Sequence, residues 1–302
     1  MSGFLGGNWL GRSAFGGGIA IPADPVPVAG AELLTNGGFE TGDPPTGWTL
    51  ESATASQVAD PRTGSAGIKA LSLANNGGIA LAYRSIANAA NQWLMLNWWG
   101  KRVSVDAKII LYSSGFSAIQ FSTTASATWA NLLMAARATT TNCYVAAQNV
   151  NGTGTNEARY DDFSAAPLTL SSLISTLPCA SANCDLSAAI WRTAGTQAGL
   201  CARLDSATSP ANFIIAYESG AGRVRVDKCV AGVYTNVIDG AVTYSAGATL
   251  RLVCSGNDVS CYYNGTQVGT TQTVSDAGIV SNVRHGKFST YASNTLVGYV
   301  AA

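Results

Sequence analysis

Seventeen Asp and Glu residues and a single histidine, His285, are the groups from which this 302-residue chain could build acid–base chemistry. Glycoside cleavage needs two carboxylates facing a sugar, one with a raised pKa. Closely spaced acids on one strand, of the form E-x-D-x-E, would supply them. No such run occurs: the acids are scattered, and Asp161-Asp162 is the one adjacent pair. His285 stands in Val283-Arg-His-Gly-Lys287 with no nucleophile motif beside it and no G-x-S-x-G anywhere. It reads as a polar surface residue of a loop. Gly16-Gly-Gly18 lack the Lys-Ser/Thr that must follow a phosphate loop. The chain reads as a non-enzyme.

Seven cysteines stand at 143, 179, 184, 201, 229, 254 and 261. An odd number excludes complete intramolecular pairing. Cys254 and Cys261 flank Ser255-Gly-Asn-Asp-Val-Ser260, a tight-turn sequence, so they can face each other across two strands. Cys179 and Cys184 are also close in sequence. With no C-x-x-C and one histidine, a zinc site is not expected, and most of the thiols read as small buried hydrophobes.

The elements that must position these groups follow from composition and pattern. Charged residues make up 11% of the chain, against roughly 25% in ordinary soluble domains. Seventeen basic residues balance seventeen acidic ones, which leaves no electrostatic footprint for nucleic acid or an anionic membrane. No apolar run reaches the ~18 residues of a membrane span, so no membrane insertion is expected. The N-terminus has no basic start and its apolar runs are broken by glycine, unlike a secretory signal. Synthesis in the cytoplasm without a signal peptide is the expectation.

The length suggests two domains. Residues 1–29 are Gly- and Ala-rich and end in the Pro-rich Ile21-Pro-Ala-Asp-Pro-Val-Pro-Val28, which predicts an extended arm and linker. Such an arm needs something else to order it, and a neighbouring subunit is expected to do so. Over 30–168, short β-branched or alternating runs predict strands at 68–73, 102–107, 108–112 and 143–147. The turn clusters Asn75–Gly78 and Asn151–Gly154 separate strands, and Ala87–Leu96 is the one modest helix candidate. Over 169–302 the hairpins are clearer: 213–217 with 223–227, then 250–254 with 259–263, followed by Asn264-Gly265, a strong turn signal. The expected class is all-β, with two antiparallel β-sandwich (jelly-roll) domains in tandem preceded by an extended N-terminal arm.

The first half resembles the family 4/9-type carbohydrate-binding modules, which have a galactose-binding-like jelly roll. The stretches that carry this are Leu33-Leu-Thr-Asn-Gly-Gly-Phe-Glu40, Gly47-Trp48, Gly67-Ile-Lys-Ala-Leu-Ser-Leu73, Ala127-Thr-Trp129 and Arg159-Tyr-Asp-Asp-Phe-Ser164. The resemblance implies a structural calcium held by Glu40 with Asp161 or Asp162 and completed by backbone carbonyls, a hard-oxygen set suited to that ion. It also implies a sugar site in which exposed aromatic faces stack on pyranose rings. The candidates are Tyr83, Trp93, Trp98, Trp99 and Tyr112. Adjacent strand residues point to opposite faces, so at most one of Trp98 and Trp99 belongs to the core. Trp48 and Trp129 match structural positions.

The second half resembles concanavalin A-like, laminin-G-type lectin sandwiches through Ala211–Tyr217, Arg223–Gly232, Gly247–Val253 and Val259–Gly269. The whole combination looks like a bacteriophage virion protein: a head decoration, head fibre or tail fibre on the virion surface. Residues 1–29 would bind other virion proteins, the protein would form a homo-oligomer, and the sandwiches would contact glycans weakly and many at a time. The alternatives are a structural cement without sugar binding and an extracellular bacterial polysaccharide-binding protein.

Overall fold

The computed structural model describes residues 21–60, 62–64, 70–75, 79–149 and 156–302. The first half carries β1 (Thr49–Glu51), β2 (Ala53–Val58), β3 (Ala70–Asn75), β4 (Leu81–Ser85), β5 (Trp93–Arg102), β6 (Ala107–Tyr112), β7 (Ala118–Thr124), β8 (Ala130–Arg137), β9 (Tyr144–Asn149) and β10 (Glu157–Pro167). These form two five-stranded antiparallel sheets, ordered β1-β4-β9-β6-β7 and β2-β3-β10-β5-β8. Alternation assigns their faces. Ala82, Ile109, Leu111, Val145 and Ala147 point inward to meet Leu71, Leu73, Leu94, Leu96 and Trp98 of the other sheet.

After the single helical turn α1 (Leu170–Leu173), the second half carries β11 (Ile174–Pro178), β12 (Cys184–Trp191), β13 (Ala198–Ala202), β14 (Phe213–Glu218), β15 (Arg223–Val230), β16 (Val233–Ala241), β17 (Ala248–Ser255), β18 (Asp258–Tyr263) and β19 (Thr266–Thr273). A second turn, α2 (Ala277–Val280), leads to β20 (Arg284–Ser289) and β21 (Thr295–Ala301). A six-stranded sheet, β11-β20-β13-β14-β15-β16, packs on a five-stranded one, β19-β18-β17-β12-β21. All ladders are antiparallel, and the fold is all-β. Asn264 and Gly265 take φ of 48° and 79°, the pair of left-handed residues that a two-residue hairpin turn demands.

Every residue of β13 and of β14 is buried. One face of their sheet fills the second sandwich. The other meets the first half in an apolar cluster where Trp93, Leu168 and Leu173 pack with Phe213, Ile215, Tyr217 and Phe288. That double coverage explains why Phe213-Ile-Ile-Ala-Tyr217 is apolar without alternation.

Three expectations are corrected. The 87–96 stretch is not a helix: Asn91 turns left-handed with φ 62°, and Trp93 already opens β5. Residues 103–106 bend between β5 and β6 rather than extending, with the Ser104 and Val105 amides donating to the Glu157 carbonyl. His285 is not on the surface; it is 1% exposed in β20, its Nδ1 accepting from the Arg203 amide at 3.1 Å and its Nε2 lying 2.9 Å from the Ser181 carbonyl.

Of the arm, residues 1–20 lie outside the described residues, as do residues 76–78 and 151–154 of the two turn clusters. Residues 21–29 rest on the chain's own second half and, at Ala29, on the last residue of the first. Asp24 pairs with Lys287 at 2.8 Å and accepts the Leu296 amide at 3.3 Å, and Ala29 bridges Leu168.

Candidate functional site

The outer face of the β1-β4-β9-β6-β7 sheet gathers aromatic side chains. Register places Tyr83 opposite Ala146, Ile110 between Ala146 and Phe121, and Tyr112 opposite Tyr144. The tight 113–117 connection, closed by Ser113 and Phe116 backbone bonds, folds Phe116 back over this face. Its ring stacks on Tyr144 at 4.5 Å and 22°. Tyr83 meets Phe116 edge-on at 5.0 Å and Tyr144 at 5.6 Å, and Tyr112 lies 5.8 Å from Phe116. Phe116 remains 41% exposed and Phe121, alongside, 58%. Ile110 and Ala146 on the same outward face are nonetheless buried, so the rings form a layer over the sheet.

Polar groups border this layer. Gln148 donates from Nε2 to the Tyr112 hydroxyl at 3.3 Å. Burial, reinforced by the Glu51 carboxylate and opposed by that donation, raises the Tyr112 phenol above its ordinary range and keeps it protonated. The Lys108 ammonium sits 4.5 Å over the Phe121 ring, and burial lowers its pKa.

The five predicted aromatics separate. Tyr83 and Tyr112 lie in this layer. Trp99 faces outward on the other sheet, with the Arg62 guanidinium 4.6 Å over its ring. Trp98 and Trp93 are corrected as stacking platforms, because neither has a free face. Trp98 is 0% exposed and stacked on Tyr160 at 6.0 Å. Trp93 is 3% exposed between the two halves, its Nε1 donating to the Tyr234 hydroxyl at 3.3 Å. Phe116 and Tyr144 escaped the sequence reading. Tyr144 starts a strand, and Phe116 sits in the polar turn Ser113-Ser-Gly-Phe-Ser117, whose path no periodicity reveals.

Of the predicted metal ligands, Glu40 and Asp162 lie near one another beside the opening stretch. Asn36 pins that stretch by accepting the Thr41 amide and donating to the Thr41 and Thr46 carbonyls. Phe39, Trp48 and Phe163 form a triangle of rings 5.0–5.6 Å apart. The Phe163 amide donates to the Gly37 carbonyl, and a Cβ at Gly37 would run into the Phe163 carbonyl oxygen. A Cβ at Gly38 would stand 3.5 Å from Asp162 Oδ1 and 3.8 Å from Glu40 Cγ, so these two carboxylates flank one glycine. Asp161 is buried and accepts the Arg62 and Asp162 amides. Asp162, at a bulge with φ 47°, pairs with Arg62 at 2.5 Å. Among the described residues no three His, Cys, Asp or Glu side chains gather closely enough to hold an ion. An ion between Glu40 and Asp162 would need backbone carbonyls and would compete with Arg62.

No protein-family model matches the sequence, and no curated protein matches it. Among solved structures the chain is similar to the tandem CBM22-1–CBM22-2 pair from Paenibacillus barcinonensis, at 11% identity and TM-score 0.38 over 89% of this chain and 98% of that one. It is similar to carbohydrate-binding module CBM66 from Bacillus subtilis, at 12% identity and TM-score 0.35 over 42% of this chain and 81% of that one. It is also similar to the enzymatically active domain of bacteriophage CBA120 tailspike protein 4, at 13% identity and TM-score 0.37 over 45% of this chain and 21% of that one. Likenesses of this size say nothing of ligand or activity, which rest on the chain's own residues.

Proposed function

We propose that this chain is a non-enzymatic glycan-binding protein of a bacteriophage virion, and that the Tyr83–Tyr112–Phe116–Tyr144 layer is its sugar site. The observation that carries the reading is Phe116, a ring 41% exposed yet held from behind by Tyr83, Tyr112 and Tyr144. An exposed aromatic fixed by its neighbours loses little freedom on binding. Its apolar face suits the C–H face of a pyranose, while the protonated Tyr112 hydroxyl, Gln148 and Glu51 at the border suit sugar hydroxyls. A sugar covering roughly 50 Å² of ring at about 25 cal/mol per Å² gains about 1.2 kcal/mol, close to tenfold in Kd. Individual sites of that strength are weak, which accords with display in many copies.

Attachment to other virion proteins through residues 1–29, homo-oligomerisation and a place in head or tail belong to the same proposal. They rest on the arm's composition and the low charge of the chain. Calcium held by Glu40 with Asp161 or Asp162 and completed by backbone carbonyls is likewise proposed, with Arg62 as the group it would displace from Asp162.

A glycan array of the full chain, followed by affinity electrophoresis on the best polysaccharide, tests the sugar site. Phe116→Ala and Tyr144→Ala should each weaken binding about tenfold, while Trp99→Ala leaves it unchanged. Absence of binding by the native protein refutes the reading in favour of a structural cement, and loss in Trp99→Ala alone relocates the site. Protection of residues 1–29 from protease in assembled particles, with cleavage in the free protein, is expected of an anchoring arm. Cleavage in both refutes it.

A further inference from the structure

The seven thiols do not pair as their spacing suggested. Cys254 stands opposite Val259 and Cys261 opposite Leu252, so these two are offset along the hairpin. Cys254 instead faces Cys184 directly across the β12–β17 ladder. Both side chains point into the core of the second sandwich and are 1% and 5% exposed. Opposed Cα atoms of an antiparallel pair lie about 4.5–5.5 Å apart, within the ~4.4–6.8 Å that a disulfide spans. The other ladder cysteines lack this arrangement: Cys201 faces Ile215 and Gly286, Cys229 faces Phe213 and Tyr234, and Cys261 faces Leu252 and Val268.

A second, independent feature lies beside the pair. Arg203 is fully buried, with φ 53°. Its Nε donates to the Ala182 carbonyl at 2.8 Å, and its Nη2 donates to the Gly256 carbonyl at 2.7 Å and to Asn183 Oδ1 at 3.4 Å. Those acceptors flank Cys184 on one strand and Cys254 on the other. Nη1 is buried with no hydrogen-bond partner, and among the described residues no carboxylate pairs with this arginine. A buried guanidinium without an anion is costly, and its charge acts on the Cys254 thiol. A hydrogen bond from Cys184, opposed by burial and helped by the Arg203 charge, lowers the Cys254 pKa. That same bond and burial raise Cys184. The two shifts run in opposite directions, with Cys254 as the thiol that ionises more readily and Cys184 as the one that keeps its proton. Cys184, His285 and Cys179 also line a cavity of about 540 Å³ whose walls include Leu177, Pro178 and Tyr299; it brings a small oxidant to Cys184, with Cys254 directly behind across the ladder.

We propose that Cys184 and Cys254 form a peroxide-reactive dithiol that closes to a cross-strand disulfide. The Cys254 thiolate attacks one oxygen of hydrogen peroxide; the S–O bond forms, the O–O bond breaks, and the departing hydroxide takes the Cys184 proton as water. The Cys184 thiolate then attacks the Cys254 sulfenic sulfur, forming the S–S bond and displacing hydroxide, which leaves as water with a proton from solvent. Two electrons pass from the two sulfurs to the peroxide.

The test uses the full chain, reduced and then given stoichiometric hydrogen peroxide. Intact mass should fall by two hydrogens, non-reducing digestion should join the peptides carrying Cys184 and Cys254, and the oxidised protein should melt several degrees higher. Cys184→Ser should show no such mass loss and should carry a dimedone-trapped sulfenic acid at Cys254. Cys179→Ser should behave as the native chain does. A link between any other two cysteines, or no link in the native chain, overturns the proposal, and these outcomes stand whether or not the Cys184 variant folds.

Discussion

Trp93→Ala probes how firmly the two halves are joined. The indole is 3% exposed, with rings of Phe288 at 5.3 Å, Tyr217 at 5.9 Å and Tyr234 at 6.4 Å around it. It also loses a hydrogen bond to Tyr234 on truncation. Removing a buried Trp costs about 3–5 kcal/mol, and here the loss falls on the contact between halves rather than inside one sandwich. At ~2–4 °C per kcal/mol for a unit of this size, the expected drop in Tm is roughly 6–20 °C. The native chain should melt in one calorimetric transition, because the six-stranded sheet is covered by the first half. Trp93→Ala should separate that into two, with the half bearing β13 and β14 unfolding at a temperature of its own. Trp93→Phe, which keeps most of the apolar volume, should retain a single transition. A single transition in Trp93→Ala, shifted by less than about 2 °C, would show that the junction contributes little and would refute the reasoning.

Asp60 accepts from Lys101 at 2.9 Å and pairs with Arg159. Burial would raise its pKa, but those two cations hold it below the ordinary carboxylate range. A lowered folded pKa contributes stability above the unfolded value near 4 and loses it as pH falls through the folded one, so Asp60→Asn should flatten the acid limb of a urea-midpoint profile below about pH 4. An unchanged limb refutes the assignment. Asp24→Asn leaves Lys287, 6% exposed, without its carboxylate; a loss of about 1–2 kcal/mol in chemical denaturation is expected after allowing for the exposure of Asp24, and no change would mean the 21–29 segment is not held there. For calcium, chelation should lower the Tm of the native protein but not of Glu40→Gln, and equal curves with and without chelator remove the ion.

Much of the fold could be read from local pattern. Asn264-Gly265 needed only its two residue types to announce a hairpin, and the Trp98-Trp99 pair needed only strand alternation to put one ring in and one out. What alternation could not supply was which outward aromatics share a face. Tyr83, Tyr112 and Tyr144 lie on three strands whose order, β4-β9-β6, is set by non-local pairing, and Phe116 joins them through a turn. The cysteines make the same point. Sequence proximity favoured Cys254 with Cys261, but a ladder closed over 70 residues brings Cys184 to Cys254. His285 was misplaced because one polar residue among charged neighbours looks like a loop. Its burial depends on the Arg203 amide and the Ser181 carbonyl, which no local window contains.

The pairing of β10 with both β3 and β5 sets an order of events during synthesis. β10 is the middle strand of its sheet, and its Phe163 completes the ring triangle begun at Phe39. A ribosome that has made the first 150 residues therefore holds a nascent chain with two strand edges unsatisfied and an aromatic wedge missing. The jelly roll can close only after residue 167 has cleared the exit tunnel, and until then those edges are open to a chaperone or to a neighbouring nascent copy.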